Sequence, residues 1–202
     1  MAGERSDWFP TSIWHFDLAD SVQLNARLLE AIELEYQRDR QGVSWSNSLG
    51  WHSVDHLHQR EPFKGLMSIA LQNAIEVAQT MAWDLNRYAV SIANCWSIVN
   101  GKYASNYLHN HPNCFLSGVY YVKTPDRSGG LYFRDPREIV HMFPAPVLEV
   151  TPWTLQKVTY QPIEGRMLIF PSWLMHGVEP NLSDDSRVSI SFNISLIPIS
   201  QT

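Results

Sequence analysis

Apolar residues recur along the chain with two different periods. Between Ser21 and Arg40 they follow the 3.6-residue period of a helix, and Asp20 or Ser21 stands where a capping residue would. The same period returns between Glu61 and Leu85. The pattern therefore predicts two amphipathic helices near the N-terminus. The apolar face of the first would consist of Val22, Leu24, Leu28, Leu29, Ile32 and Leu34.

From Tyr88 onward the pattern is that of short strands separated by turns, which is typical of a sandwich or barrel. The predicted strands are YAVSIANCWSIVN, FLSGVYYV, GGLYFR, VTYQPIEG, RMLIFP, HGVEP and RVSISFNISL. In the last, Ile190 and Phe192 would point to one face, and Arg187, Ser189 and Ser191 to the other.

These elements predict a mainly β fold, a double-sheet barrel or jelly roll with the α-helices packed outside. The 202 residues are enough for one domain. We expect a single domain over 1–202, with a helical N-terminal part over 1–87 and the β core over 88–202.

The composition argues against nucleic-acid and membrane partners and against a disulfide framework. Hydrophobic residues make up 45% of the chain, and the net charge of -5 is too acidic to favour a nucleic-acid partner. No apolar run is long enough for a membrane span or a secretory signal. The two cysteines, Cys95 and Cys114, are too few for a disulfide framework. We expect a cytoplasmic protein without nucleic-acid or membrane partners.

Five residue positions suggest chemistry. His109 and His111 stand one residue apart, so in a strand both side chains would face the barrel interior. His176 follows a later strand and is the candidate third metal ligand. Arg187 and, two residues on, Ser189 share one strand face. This set suits a non-haem Fe(II) oxygenase, in which three protein ligands leave one metal face open and an arginine grips the far carboxylate of 2-oxoglutarate.

The sequence also resembles the 2-oxoglutarate/Fe(II)-dependent oxygenases, in particular a subgroup found in bacteria and phages. The blocks that carry the resemblance are WFPTSIW, GWHS, HNHPNCFLSGVYYV, SGGLYFRDPR, GRMLIFPSWLMHGVEPN and RVSISFN. The resemblance implies a double-stranded β-helix with Fe(II) and 2-oxoglutarate as cofactors. It further implies that His109 and His176 bind iron and that Arg187 and Ser189 bind the distal carboxylate of the cosubstrate.

One position departs from that superfamily, which has Asp or Glu where this chain has His111. Either the site has three histidines, or a carboxylate such as Asp135 is the third ligand. We favour three histidines, because imidazole is a good Fe(II) ligand. Such a site carries one more positive charge and would hold anionic 2-oxoglutarate more tightly.

Further residues are placed near the site by the predicted strands. Asn106 and Tyr121 would reach the cosubstrate from neighbouring strands, and Asn193 shares the face of Arg187. At the barrel mouth we expect Arg134, Asp135 and Arg137, and we expect Trp173 to form a wall of the pocket.

The remaining histidines have plainer interpretations. His52, His56 and His58 look like a second metal cluster but lack a fitting partner motif, so we interpret them as a solvated or loop-packing segment. His15 and His141 are interpreted as structural or surface residues. For Arg187, the alternative is a surface salt bridge with Asp184 or Asp185.

Two functions follow from these residues. The first is an oxygenase that hydroxylates a small-molecule or peptide substrate and releases succinate and CO₂. The alternative is a cupin-like metal-dependent dioxygenase or metal-binding protein that does not use 2-oxoglutarate. That alternative expects a Glu shortly after the histidine pair, where the chain reads PNCFLSG, and it gives Arg187 no role. We also expect that a homodimer would form through the N-terminal helices.

Overall fold

The computed structural model of the protein describes residues 3–199. These residues form eleven β-strands, three α-helices and one 3-10 helix. The helices are α1 (Ser21–Arg38), α2 (Phe63–Thr80) and α3 (Ile139–Met142), with the 3-10 helix at Leu57–Gln59. The strands are β1 (Trp14–Asp17), β2 (Asn47–Ser48), β3 (Trp51–His52), β4 (Tyr88–Asn100), β5 (Ser105–His109), β6 (Leu116–Lys123), β7 (Leu131–Arg134), β8 (Lys157–Tyr160), β9 (Arg166–Pro171), β10 (His176–Val178) and β11 (Arg187–Pro198). No described helix is both long and apolar enough to cross a membrane.

The strands form two antiparallel sheets. The larger has the order β1-β9-β6-β11-β4-β3 and the smaller the order β2-β5-β10-β7-β8. From β4 to β11 the chain passes back and forth between them, with β4, β6, β9 and β11 in the larger sheet and β5, β7, β8 and β10 in the smaller. This is the jelly roll, or double-stranded β-helix, that was predicted, with the helices on its outside.

The N-terminal part also contributes three strands that the sequence pattern does not predict. β1 pairs with β9, β2 with β5 and β3 with β4. These strands have four, two and two residues, which is too short for an alternation of apolar and polar residues to be recognised. The residues before β4 therefore extend both sheets in addition to forming α1 and α2.

Helices α1 and α2 cover the outer face of the larger sheet. Leu28 and Ile32 of α1 and Leu66 of α2 are buried in one apolar cluster with Ile190 and Phe192 of β11. Burial of such side chains is worth about 1.5–3 kcal/mol each, so this layer is a main source of stability. It fixes β11, and with it the residues on the opposite face of that strand.

Two details of α1 differ from the prediction. Val22 and Leu34 are 80% and 54% exposed, because each lies six residues from the buried Leu28 and so about 120° from it around the helix. Asp20 precedes the helix but makes no side-chain capping bond. Its backbone is left-handed, with φ 56°, rather than in the extended conformation of a capping residue.

The inner face of β11 alternates as predicted. Arg187 and Ser189 face the space between the two sheets, whereas Ile190 and Phe192 belong to the cluster beneath the helices. A second apolar cluster, which includes Phe133, packs between the sheets. The rest of that space is open and contains the candidate site.

Candidate functional site

A cavity of about 640 Å³ lies between the sheets. Apart from histidines, the charged side chains among its described lining residues are Arg187 and Asp55. Arg187 pairs with Asn100 at the end of β4, whereas the Asp55 carbonyl accepts a hydrogen bond from the backbone N–H of Cys95, nearer the middle of β4. The cation and the carboxylate are therefore well separated along the cavity.

The structure brings the three predicted histidines together. His109 is the last residue of β5 and is paired with His176, the first residue of β10. His111 lies beyond the end of β5 rather than within it, and its backbone N–H donates to the Ser172 carbonyl at 2.9 Å. Each residue offers one ring nitrogen, and these three nitrogens lie within 4.8 Å of one another. The expectation of one strand carrying both His109 and His111 is wrong, although both rings line the cavity.

Two of the rings have a fixed proton. His109 Nδ1 lies 2.6 Å from the Tyr107 carbonyl, and His176 Nδ1 lies 2.8 Å from the Leu174 carbonyl. A carbonyl only accepts, so both Nδ1 atoms carry the proton and both Nε2 atoms keep a lone pair. This is the form in which imidazole binds a metal.

The cluster is neutral near physiological pH. Burial lowers the pKa of His176 to about 3 and that of His111 to about 4, and neighbouring imidazoles add to both effects. Burial also lowers the pKa of His109, against the effect of its hydrogen bond to the Tyr107 carbonyl. Three neutral, converging imidazoles fit a divalent transition metal such as Fe(II).

The third imidazole has a different neighbour. His111 Nδ1 lies 3.5 Å from Asn193 Nδ2, and Asn193 Oδ1 lies 2.7 Å from the Ser117 hydroxyl. His111 Nε2 lies 3.3 Å from His176 Nε2. Asn193 lies on the cavity face of β11, as predicted, and is buried.

Asp135 does not reach the histidines. Its carboxylate is held by Arg137, with Asp135 Oδ1 3.0 Å from Nε and Oδ2 2.5 Å from Nη2. Both residues border a separate, smaller cavity. The geometry therefore favours His111 over Asp135 as the third ligand.

Arg187 is a buried cation at one end of the cavity, with only 2% of its surface exposed. Its Nη1 donates to the Gly129 carbonyl at 3.1 Å, and its Nε has no hydrogen-bond partner. No carboxylate of the described residues pairs with it: Asp184 pairs with Lys102 and Asp185 with Lys123, so the surface salt-bridge alternative is wrong. Burial lowers the pKa of Arg187, but guanidinium remains charged.

Three further predicted residues line the same cavity. Tyr121 is buried, its hydroxyl has no partner among the described residues, and burial raises its pKa to about 12 against the effect of Arg187. Ser189 pairs with Tyr121 across β11 and β6. Asn106 already bonds Asn100 and Ser46 through its amide. Tyr121 is thus free to bind an added group, whereas Asn106 is committed within the protein.

His52 is a cavity residue that the sequence does not reveal. It is buried, it lines the cavity, and its ring stacks on Trp96 at 5.5 Å. The ring centroid of Trp96 in turn lies 5.6 Å from that of His111. The interpretation of a solvated or loop-packing segment is therefore wrong for His52, because its pairing with Ile98 carries it into the barrel. No local signal distinguishes it from its neighbours.

The residues predicted at the barrel mouth are not among the described residues that line the main cavity. Arg134 pairs with Glu138, and Arg137 pairs with Asp135 beside the smaller cavity. Trp173 is half exposed and is not among the lining residues of the main cavity. Among the described lining residues, the exposed large hydrophobic side chains are instead those of Trp45 and Tyr107.

Comparison with known proteins agrees with this geometry. Residues 94–193 match the model of a family described as "Putative 2OG-Fe(II) oxygenase", a range that includes the three histidines and Arg187. No curated protein matches the sequence.

Several solved structures share the fold over most of the chain. The epimerase SnoN in complex with Fe³⁺, alpha ketoglutarate and nogalamycin RO superposes with a TM-score of 0.66 and 13% identity, covering 92% of this chain and 79% of SnoN. A Pseudomonas putida prolyl-4-hydroxylase superposes with a TM-score of 0.61 and 13% identity, and the match covers 92% of both chains. HygX from Streptomyces hygroscopicus, bound to nickel, 2-oxoglutarate and hygromycin B, superposes with a TM-score of 0.58 and 14% identity. The match covers 92% of this chain and 83% of HygX.

At such low sequence identity the superpositions show the fold alone, and the family match shows which family the chain belongs to. The fold is the predicted double-stranded β-helix, and the matched segment contains the histidine cluster and the buried arginine. Through residues 94–193, the chain belongs to the 2-oxoglutarate- and Fe(II)-dependent oxygenases.

Proposed function

We propose that this enzyme hydroxylates a small-molecule or peptide substrate, with Fe(II) held by His109, His111 and His176 and 2-oxoglutarate held by Arg187. When bound, Fe(II) and 2-oxoglutarate supply the activation of O₂, so that a substrate C–H becomes C–OH while 2-oxoglutarate becomes succinate and CO₂. The protein holds the cofactors, orients the substrate and limits water in the cavity.

The observation that carries this proposal is the buried, unpaired Arg187 in the same cavity as the histidines. A buried cation is costly without an anion, and no carboxylate of the described residues supplies one. The distal carboxylate of 2-oxoglutarate would provide that anion, and the free Nε of Arg187 would donate to it. The free hydroxyl of Tyr121 and that of Ser189 would complete the contacts.

The three imidazoles suit the other end of the cosubstrate. They are neutral, so they leave the full charge of Fe(II) to attract the 2-oxo acid group. Three protein ligands also leave coordination positions open for 2-oxoglutarate and O₂. A cupin-like reaction without 2-oxoglutarate would use the same histidines but would leave Arg187 without a function.

The prime substrate would enter at the part of the cavity away from Arg187. Trp45 and Tyr107, which line it, are 71% and 63% exposed, so they offer aromatic faces to a ligand. Asp55 lines it too, and its carboxylate has no hydrogen-bond or salt-bridge partner among the described residues. These groups favour a substrate that donates hydrogen bonds and has an apolar part.

Among the structural neighbours, HygX holds hygromycin B, SnoN holds nogalamycin RO, and a Trichoplax adhaerens prolyl hydroxylase holds a peptide fragment. Small-molecule and peptide substrates are therefore both compatible with this fold.

A succinate assay tests the proposal without knowledge of the prime substrate, because slow uncoupled turnover also converts 2-oxoglutarate. Purified protein with Fe(II), 2-oxoglutarate and O₂ should form succinate, and His109→Ala should form none above background. Arg187→Gln should need more 2-oxoglutarate, whereas Lys102→Gln, which alters an exposed ion pair, should match the wild type. Equal succinate formation by wild type and His109→Ala would contradict the proposal.

The cytoplasmic location and the homodimer remain predictions. A cytoplasmic location agrees with Cys95 and Cys114, which are free thiols. Cell fractionation would test that location, and sedimentation equilibrium would test the possible homodimer.

A further inference from the structure

We infer that Asn193 holds His111 in the proton arrangement that binds Fe(II), and that Ser117 holds Asn193. Asn193 is thus a positioning residue that acts on the metal through His111. The inference rests on the proposed function, because it takes His111 as a ligand. It concerns a contact that neither the motif spacing nor the family match assigns.

Two proton arrangements satisfy the same distances between heavy atoms. In the first, the Ser117 hydroxyl donates to Asn193 Oδ1, and Asn193 Nδ2 donates to His111 Nδ1. His111 then carries its proton on Nε2 and donates it to His176 Nε2, 3.3 Å away. In this arrangement His111 has no lone pair to offer on the side of the other two histidines.

In the second arrangement the Asn193 amide is turned over. Its Oδ1 accepts from His111 Nδ1–H, and its Nδ2 donates to the Ser117 hydroxyl. His111 Nε2 now has a lone pair, as His109 and His176 already have through their bonds to backbone carbonyls. This second arrangement alone gives three converging lone pairs, so Fe(II) binding selects it.

The position of His111 explains why a side chain has this task. His109 and His176 each donate Nδ1–H to a backbone carbonyl, whereas His111 lies beyond the end of β5 and faces Asn193 instead. Asn193 and Ser117 are 4% and 2% exposed, and they are direct partners in the pairing of β11 with β6. Sheet geometry therefore holds both side chains in place.

Zinc affinity tests the inference, since Zn²⁺ is a spectroscopically simple probe of the same imidazoles. Outer partners of metal-bound histidines typically contribute 10–100-fold to affinity, so Asn193→Leu should bind Zn²⁺ about 10–100-fold more weakly in chelator competition. Asn193→Asp keeps an oxygen that accepts from His111 Nδ1–H, so its affinity should lie within about threefold of the wild type or be tighter.

The matched control is Asn25→Leu. Asn25 is also a buried asparagine that accepts from a hydroxyl, that of Tyr120 at 2.6 Å, but it belongs to α1, on the other side of the larger sheet. Thermal denaturation should show both Leu variants to be destabilised. Zinc affinity should fall in Asn193→Leu alone, because a loss of stability by itself does not change the tautomer of His111.

A second readout is the proton itself. Nitrogen-15 NMR of the zinc-loaded wild type, assigned with a His111→Asn variant, should show His111 protonated at Nδ1. Protonation at Nε2, or an Asn193→Leu affinity equal to that of the wild type, would overturn the inference. If the wild type binds no zinc through these histidines, so that His109→Ala has the same affinity, the proposed metal site itself is wrong; the two failures are therefore distinguishable.

Discussion

His109 and His176 are direct partners in the pairing of β5 with β10, so two imidazoles far apart in sequence meet side by side. Their ring centroids are 4.4 Å apart. His111 completes the cluster from the turn after β5. Strand pairing therefore places two of the three imidazoles, and the turn after β5 places the third.

Replacement of His176 should abolish tight metal binding. His176→Ala removes one of three converging nitrogens, and we expect the Fe(II) or Co(II) affinity to fall by at least about 100-fold. Anaerobic isothermal titration calorimetry measures this directly. His15→Ala removes an exposed histidine away from the cavity and should bind metal like the wild type; equal losses in both variants would contradict the assignment.

Replacement of Arg187 should affect 2-oxoglutarate far more than the metal. Hydrogen bonds to charged groups contribute about 1.5–3 kcal/mol, so Arg187→Gln should raise the KM for 2-oxoglutarate about 10–100-fold. Arg187→Lys keeps the charge but loses the planar fork, so its KM for 2-oxoglutarate should lie between those of the wild type and Arg187→Gln. Succinate formation at varied 2-oxoglutarate gives the values, and an unchanged KM in Arg187→Gln would show that the cosubstrate does not bind there.

Tyr121→Phe separates a binding role from a structural one. The Tyr121 hydroxyl is buried without a partner among the described residues, so its removal should leave the thermal stability unchanged or slightly higher. If the hydroxyl donates to 2-oxoglutarate, the KM should rise about 2–10-fold, as expected for one neutral donor. A stability loss without a change in KM would mean that the hydroxyl serves the fold alone.

Much of the core fold can be predicted from the sequence because its strands are long and regular. β4 and β9 have the bounds of YAVSIANCWSIVN and RMLIFP, and β11 alternates between the helical layer and the cavity. The alternation of β11 also places Arg187, Ser189 and Asn193 on the cavity face, which is why that part of the site could be anticipated.

The remainder depends on contacts that no local pattern encodes. His52 enters the cavity through a two-residue strand that pairs with β4 and through its stack on Trp96. Asp135 directly follows β7, much as His111 lies just beyond β5, and only the folded chain shows that Asp135 turns toward Arg137 instead. The link from His111 to Asn193 likewise arises from the pairing of whole strands.

The unfolding free energy of the metal-free protein should fall as the pH is lowered below about 6.5. The folded pKa values of His111 and His176 are lowered to about 4 and about 3, against 6.5 for an ordinary histidine. Below pH 6.5 the unfolded chain therefore binds more protons than the folded one, and protonation favours unfolding. This contribution to stability is fully present above pH 6.5 and is lost as the pH falls toward the folded values.

Urea denaturation in the presence of a chelator at several pH values between 7.5 and 4.5 measures this dependence. His111→Asn should have a shallower slope than the wild type, because one buried histidine no longer titrates. His15→Gln changes an exposed histidine away from the cavity and serves as the matched control variant. An identical slope in His111→Asn would show that His111 contributes nothing to the pH dependence.

The most direct test of the central claim is an anaerobic titration of the Fe(II)-loaded protein with 2-oxoglutarate, followed by the visible charge-transfer absorption that this chelate gives. We predict a saturable band in the wild type, a band that needs more 2-oxoglutarate in Arg187→Gln, and no band in His176→Ala. A wild-type protein that binds iron through the three histidines but gives no band would contradict the account, because the cavity would then hold a metal without the cosubstrate.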